Sequence, residues 1–400
     1  MAINTALLDS AQNPDFSMLL LTHTAENAAS ERIQTCSDAG AIAPPPAQPV
    51  AAARGGVVHE IDPIGDFRWA DFLQRDPRAS VFHTPGWLAA LQRTYGYRPV
   101  VFTTSRLQEP LNNGLVFCQV ESWLTGRRLV ALPFSDHCEP LLTAEAQTVI
   151  AACLPEHVKN GRWKYAELRP LTSASNAGRE FSQSGSFCFH QIDLRPNLDV
   201  IFQNLHKSST RRKIQRAERE GITYQQGTSP VLLDQFYRLF VMTRRRHGLP
   251  PSPRAWFFNI LDCLGGNAQV RIAYKGDVAV AAMITLKYKD VIMYKYGASD
   301  SAFNNLGAMV ALFWKAIAEA KSEGFRAFDL GRSDWDNDGL LTFKDHLGGV
   351  RSSLTYWRWP ATPSHGSGSG WKSGIAKRLL AHAPDAVRIK VGDLLYRHIG

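Results

Sequence analysis

The sequence predicts an α/β (α+β) protein of two successive units with mixed central sheets. Two observations point there: strand-like apolar runs alternate with helical patterns from Val57 onward, and the second half repeats the scheme of the first. A third is composition. With 400 residues, 44% hydrophobic and only 20% charged, the chain has enough apolar surface for more than one core and is too apolar to be disordered throughout.

The first unit opens on a strand pattern at Val57–Ile61, with helical patterns around Asp71–Gln74 and Pro85–Gln92. Strand candidates follow at Pro99–Thr103, Leu115–Trp123 and Arg128–Pro133. Polar turns with Asn112-Asn113-Gly114 and Thr125-Gly126 join them, which predicts antiparallel pairing. A helix over Ala144–Val158 and strands at Lys164–Leu168 and Phe187–Leu194 complete it. In the second unit, Leu232, Phe236, Leu239, Phe240 and Thr243 mark one face of a helix over Val231–Arg246. Arg244-Arg245-Arg246 suits its C-terminal dipole, and Gly248 stops it before Pro250-Pro251. Strands at Gln269–Tyr274, Val278–Tyr288 and Val291–Gly297 form a meander. A polar loop then leads into a helix marked by Val310, Phe313, Ile317 and Ala320 and ended by Gly324. A strand at Arg326–Leu330, a short helix through Leu347 and a strand at Ser353–Trp359 follow. The expected organisation is a flexible Ala/Ser/Pro leader at 1–56, units at 57–200 and 201–360, a Ser/Gly linker at 361–370 and a basic amphipathic tail at 371–400.

The net charge of +9 is concentrated. Between Lys207 and Arg254, eleven Lys or Arg face three acids, Glu218, Glu220 and Asp234, a local net of +8. Such focused charge suits an anionic partner, namely phosphates, RNA or a membrane surface; the alternative is a solvated helix face. In the tail, Val387, Val391, Leu394 and Leu395 mark one helical face amid basic residues. That face either contacts a membrane or partner, or packs back on the chain. No apolar run reaches the length of a membrane span, and no basic residue precedes Met18–Leu21 as in a secretory signal, so a cytoplasmic protein is expected. The six cysteines show no metal-ligand spacing, and no metal is expected to be required.

The order of the second unit resembles the GNAT acyltransferase fold. The strings SSTRRKIQRAEREG (Ser208–Gly221), TRRRHGLP (Thr243–Pro250), YKYGAS (Tyr294–Ser299) and FDLGRSDWDNDGLLTFKDHLGG (Phe328–Gly349) resemble the Fem-type branch in particular. That branch includes aminoacyl transferases of peptidoglycan bridge synthesis and GNAT-like proteins associated with exopolysaccharide or exosortase clusters, and LLYRHIG (Leu394–Gly400) is most similar to the latter. The resemblance implies tandem GNAT-like domains with substrate in the cleft between them. It also implies a donor that is either acyl-CoA or aminoacyl-tRNA, and a nucleotide-linked or lipid-linked glycan acceptor. Where GNAT enzymes carry their acyl-CoA fingerprint, this chain has Asn304, Gly307 and Met309, so only the central glycine is kept and the donor stays open.

Acyl transfer requires a nucleophile that sheds a proton and fixed positive charge for the oxyanion. Lys344 is the first candidate: its stem packs beside Phe343 and Leu347, and the resemblance places the equivalent lysine near the reacting groups. An ion pair with Asp345 is the alternative. Asp329 and Arg332 sit at a strand end, either as proton acceptor and anion binder or as a mutual salt bridge. The strand, loop and helix around Ser299, Asn304, Asn305 and Gly307 form an anion-binding pattern for the donor. Ser208, Arg211 and Arg212 begin a helix suited to phosphate. His247 is a substrate candidate or a helix cap. Tyr296 borders the expected cavity with Lys344, and His83 and Trp87, in FHTPGW, resemble the family's acceptor side. Asp334, Asp336, Asp338, Gly339, Leu341 and Asp345 match the spacing of a calcium loop, but the strand before them does not fit an EF-hand. The leading reading is an acyltransferase acting on an amine or hydroxyl of a cell-envelope or exopolysaccharide precursor. The alternatives are a noncatalytic glycan-binding or lipid-binding module and an RNA-binding protein.

Overall fold

The computed structural model of the chain describes residues 50–53, 56–172, 181–360 and 382–400. In chain order its elements are β1 (Val50–Ala53), β2 (Gly56–Ile61), α1 (Phe67–Arg75), α2 (Pro85–Tyr95), β3 (Arg98–Thr103), β4 (Leu115–Ser122), β5 (Gly126–Val130), α3 (Ala144–Asn160), β6 (Ala166–Leu168) and β7 (Ser182–Asp193). The second half continues with α4 (Leu198–Asn204), α5 (Arg212–Arg219), β8 (Ile222–Gly227), α6 (Pro230–Arg246), α7 (Arg254–Leu264), β9 (Ala268–Lys275), β10 (Val278–Tyr288) and β11 (Val291–Ser299). Then come α8 (Ala308–Ser322), β12 (Ala327–Ser333), α9 (Asp338–His346), β13 (Val350–Trp359) and α10 (Asp385–Ile399).

The thirteen strands join one sheet in the order β1-β2-β3-β4-β5-β6-β13-β7-β12-β11-β10-β9-β8. Its middle is an exchange. The last strand, β13, pairs with β6 at Trp357↔Leu168 and with β7 from Val350 to Arg358, while the other edge of β7 pairs with β12. Backbone hydrogen bonds therefore run unbroken from one half to the other, and Phe189, Leu354 and Tyr356 bury a small apolar cluster at the join.

Local signals place the helices that matter for the site. Ser229 caps α6 by accepting from Leu232 N, Pro230 occupies its first turn, and its apolar face is buried as the spacing requires. The arginines that end it turn inward: Arg244 Nε donates to Pro250 O and Arg246 Nη1 donates to Ser299 O. α8 buries Val310, Phe313, Ile317 and Ala320. On the opposite face, α2, α6 and α7 share a core in which Trp87 meets Trp256 edge-on at 5.2 Å.

Several expectations shift. β8 and α7 were not foreseen, because Pro250-Pro251-Ser252-Pro253 reads as a loop and conceals the helix that Pro253 in fact precedes. β7 begins five residues before its apolar run, since β13 supplies partners for Ser182 to Ser186. Val50–Ala53, within the stretch read as leader, pairs antiparallel with β2. Residues 1–49 and the 361–370 linker lie outside the described residues.

The tail helix packs back on the molecule, but not through the face its apolar residues suggested. α10 buries Arg388, Gly392, Tyr396 and His398, while Val387 and Leu394 are exposed. Tyr396 Oη donates to Pro250 O and accepts from Arg244 Nη2, and Tyr97 Oη of the first half donates to Tyr396 O. Gly392 is required for this contact, because a Cβ there would lie 2.0 Å from Pro251 O. Gly392→Ala is expected to lower unfolding free energy by about 1–3 kcal/mol in chemical denaturation. An unchanged midpoint would show that α10 does not dock this way.

Candidate active site

β11 and β12 run parallel but pair only at Val291↔Ala327, Ile292↔Phe328 and Met293↔Asp329, although they continue to Ser299 and Ser333. Beyond those pairs they part. On its other edge, β12 shifts register against β7 between Asp329 and Arg332, where Gly331 adopts φ +71°. The resulting wedge in the sheet receives a turn from the first half, Ser135-Asp136-His137.

That turn is fixed from several directions. Ser135 Oγ donates to Leu132 O, Arg169 Nη1 donates to Leu132 O and Ser135 O, and Cys138 N donates to Arg169 O. Asp136 takes Lys295 Nζ of β11 at 3.0 Å on Oδ2, its carbonyl accepts from Tyr356 Oη at 2.6 Å, and Arg332 Nε of β12 stands 3.9 Å from Oδ1. Burial pushes the Lys295 ammonium below its ordinary pKa, against the pull of Asp136. His137 Nε2 lies 3.0 Å from Asp329 Oδ2, and Asp329 Oδ1 accepts from Gly331 N at 2.6 Å. The imidazole is held edge-on between Phe82 and Phe189. With Asp329 Oδ2 as the acceptor, the ring proton sits on Nε2, which leaves Nδ1 a lone pair.

Lys344 completes the group. It lies on α9, which Asn337 caps by accepting from Leu340 N, and it is 1% exposed. Its ammonium donates to Gly331 O and Arg332 O, both at 3.0 Å. Burial lowers its pKa to about 8, even though Asp136 and Asp329 favour the charge. The Arg332 guanidinium lies over Phe187 at 4.1 Å, and its Nε is buried with no hydrogen-bond partner among the described residues. A charged donor without an acceptor is costly to bury and is suited to a ligand oxygen.

The structure thus brings together Lys344, Asp329 and Arg332, but not through the alternative pairings. Asp345 binds Arg351 and His190 rather than Lys344, and Asp329 binds His137 rather than Arg332. Asp136, His137 and Lys295 were missed by sequence reasoning. They are isolated polar residues in apolar or turn context, and their partners lie 159 and 192 residues away.

The remaining candidates stand elsewhere. Ser299 is tied to Thr243, with Ser299 N donating to Thr243 Oγ1, and Asn304 and Asn305 are exposed. Gly307 abuts α5, where a Cβ would meet Lys213 O at 2.4 Å. Ser208 is exposed and Arg211 half-buried; Arg212 begins α5 on the surface. Beside them, Ser209 Oγ lies within hydrogen-bond distance of both His206 and His346, whose rings stack at 4.1 Å. His247 is the C-cap of α6. Tyr296 is buried, its hydroxyl accepting from Trp256 Nε1. His83 and Trp87 are fully buried; His83 contacts Ser80 and the Glu139 carbonyl, and burial lowers its pKa to about 4. The calcium-loop pattern is not a loop, since α9 begins at Asp338 and carries Leu341 and Asp345 on helical turns.

Residues 205–344 match the family described as acetyltransferase (GNAT) domain. Part of the chain is 28% identical, over 144 residues, to the UDP-N-acetylmuramoylpentapeptide-lysine N(6)-alanyltransferase of Weissella viridescens. Residues 205–344 are thus a GNAT-type domain. The alanyltransferase match covers 35% of this chain and 43% of the relative, so the chain spans under half the length of that protein. The crystal structure of FemX superposes with a TM-score of 0.58 at 14% identity, covering 72% of this chain and 95% of that one. The C-terminal domain of a putative lysylphosphatidylglycerol synthetase from Agrobacterium fabrum gives 0.50 at 14% identity, covering 80% and 95%. These likenesses show a shared fold that extends beyond the matched GNAT domain into the first half of the chain. Within this fold, Asp136 and His137 come from the first half, and Lys295, Asp329, Arg332 and Lys344 come from the GNAT domain.

Two substitutions test the wedge. Gly331→Ala forces a side chain into a left-handed backbone 3.0 Å from Asp136 Oδ2, and is expected to cost about 1–3 kcal/mol of stability in denaturant titrations. Lys295→Met strands a buried carboxylate and is expected to cost about 3–5 kcal/mol, of which adding Asp136→Asn recovers a large part. Strictly additive losses would show that the pair is not coupled.

Proposed function

We propose that the chain is an acyltransferase that moves an acyl or aminoacyl group to an amine or hydroxyl of a cell-envelope precursor. The observation that carries this reading is the arrangement at the parted strands, where a His–Asp pair stands with two cations around one strand end. In the proposed reaction, His137 Nδ1 takes the proton as the acceptor nitrogen or oxygen attacks the donor carbonyl. Arg332 Nε and the Lys344 ammonium stabilise the oxyanion, and collapse expels the donor's oxygen or sulfur, which regains the proton from His137. Asp329 holds the imidazole and offsets its transient charge.

Aminoacyl-tRNA is the proposed donor in preference to acyl-CoA. Two features support it: α5 covers the Gly307 start of α8, and Lys207, Arg212 and Arg219 form an exposed basic surface beside it. The proposed acceptor is a nucleotide-linked or lipid-linked glycan precursor of peptidoglycan or exopolysaccharide, met on the cytoplasmic side. The Weissella relative, by name, alanylates the lysine N6 of a UDP-linked muramoyl pentapeptide. Among the described residues no helix is long and apolar enough to cross a membrane.

The test is to incubate the purified chain with charged tRNA or acyl-CoA and with UDP-linked and lipid-linked precursors, reading acceptor mass. Transfer is expected from charged tRNA, and Lys344→Ala is expected to lower its rate by about 10²–10³-fold. Binding of precursor without turnover from either donor would favour the noncatalytic module. The pH profile carries a sign: the ammonium persists below its pKa, so the contribution of Lys344 is full there and is lost as pH rises through about 8. A rate that climbs through pH 8 would mean that neutral Lys344, and not its ammonium, does the work.

A further inference from the structure

A second concavity lies apart from the wedge and shares none of its residues. Its floor is β4 and the residue beyond, where Gln119, Glu121 and Trp123 project on one face at the strand period of two. Arg98 at the start of β3 and the last turn of α10 wall it, and the space is about 550 Å³, the size of one or two sugar rings. Trp123 is 82% exposed; its ring meets that of His398 in a T-shaped contact with centroids 5.5 Å apart, and most of the indole is left bare.

The charge in this pocket is one-sided. Glu121, its only acid, is taken by Arg127. Arg98 and Arg397 have no carboxylate partner among the described residues. A helix C-terminus ordinarily repels anions, but here its carbonyls are occupied: Tyr97 Oη donates to Tyr396 O and Arg397 O, and Thr125 Oγ1 and Arg128 Nη2 donate to His398 O. The helix end is thus tied to the first half by hydrogen bonds, and the open donors are two guanidinium groups and an amide beside a flat aromatic surface.

We propose that this pocket binds an acidic saccharide, with a sugar ring on the Trp123 indole and its carboxylate or phosphate on Arg98 and Arg397. Rings with an apolar face and hydroxyl edges match an aromatic floor with polar neighbours, and guanidinium forks match the acid. A bilayer would call for a convex apolar surface, whereas Leu394 is the one exposed aliphatic residue here and the site is recessed. The tail helix is therefore a wall of a binding site, and the pocket exists only while α10 is docked.

Calorimetry on the full chain tests this with glucuronate oligosaccharides, glucose 1-phosphate and neutral cellobiose, alongside cosedimentation with phosphatidylglycerol vesicles. At least one acidic sugar is expected to bind, about tenfold or more tighter than cellobiose, and which one binds tells carboxylate from phosphate. Trp123→Ala and Arg397→Gln, both at exposed positions, are each expected to weaken it by about tenfold or more. Absence of binding by both acids, affinities unchanged in both variants, or vesicle binding through these residues without sugar binding would each overturn the proposal.

Discussion

The parting of β11 and β12 is the constraint on which the site depends. Parallel strands that separate leave backbone groups and a gap that the sheet itself cannot satisfy. In this chain a turn from the other half closes the gap, and it does so with charge: Asp136 between Lys295 and Arg332. A buried ion pair stabilises little by itself, yet it penalises any arrangement in which one partner is absent. The halves are therefore held in one register by electrostatics as well as by the β6-β13-β7 exchange.

That closure also sets the chemistry. Inserting Asp136 brings His137 against Asp329, and the φ of Gly331 turns two carbonyls toward Lys344. Asp136, His137, Asp329 and Lys344 are thus each oriented by another group before any ligand arrives, which is what preorganised stabilisation of a developing charge requires. Arg332 Nε and Ser333 Oγ, both buried without a hydrogen-bond partner among the described residues, are where the arrangement remains open.

Much of the fold was legible because its signals are local. The spacing of Leu232, Phe236, Leu239 and Phe240, ended by Gly248, gave α6, and the spacing of Val310, Phe313 and Ile317 gave α8. Lys344, Asp329 and Arg332 were legible from motif and strand-end position. What escaped depends on distance in sequence. Nothing near Asp136 or His137 marks them, since their partners belong to the other half. The tail misled for a different reason: its apolar residues suggested one face, whereas close approach at Gly392 and the hydroxyl of Tyr396 determined another. Arg244-Arg245-Arg246 counted toward a surface charge, yet two of the three spend their donors on internal carbonyls.

The Lys344 ammonium is held in a dry site next to groups from both halves. Its titration, followed by NMR of ¹³Cε-labelled lysine and assigned by loss of the signal in Lys344→Arg, measures this directly. The expected midpoint is about 8, the value that burial imposes. A midpoint near 10.5, the ordinary lysine value, would mean that the side chain stands in water and would contradict the account.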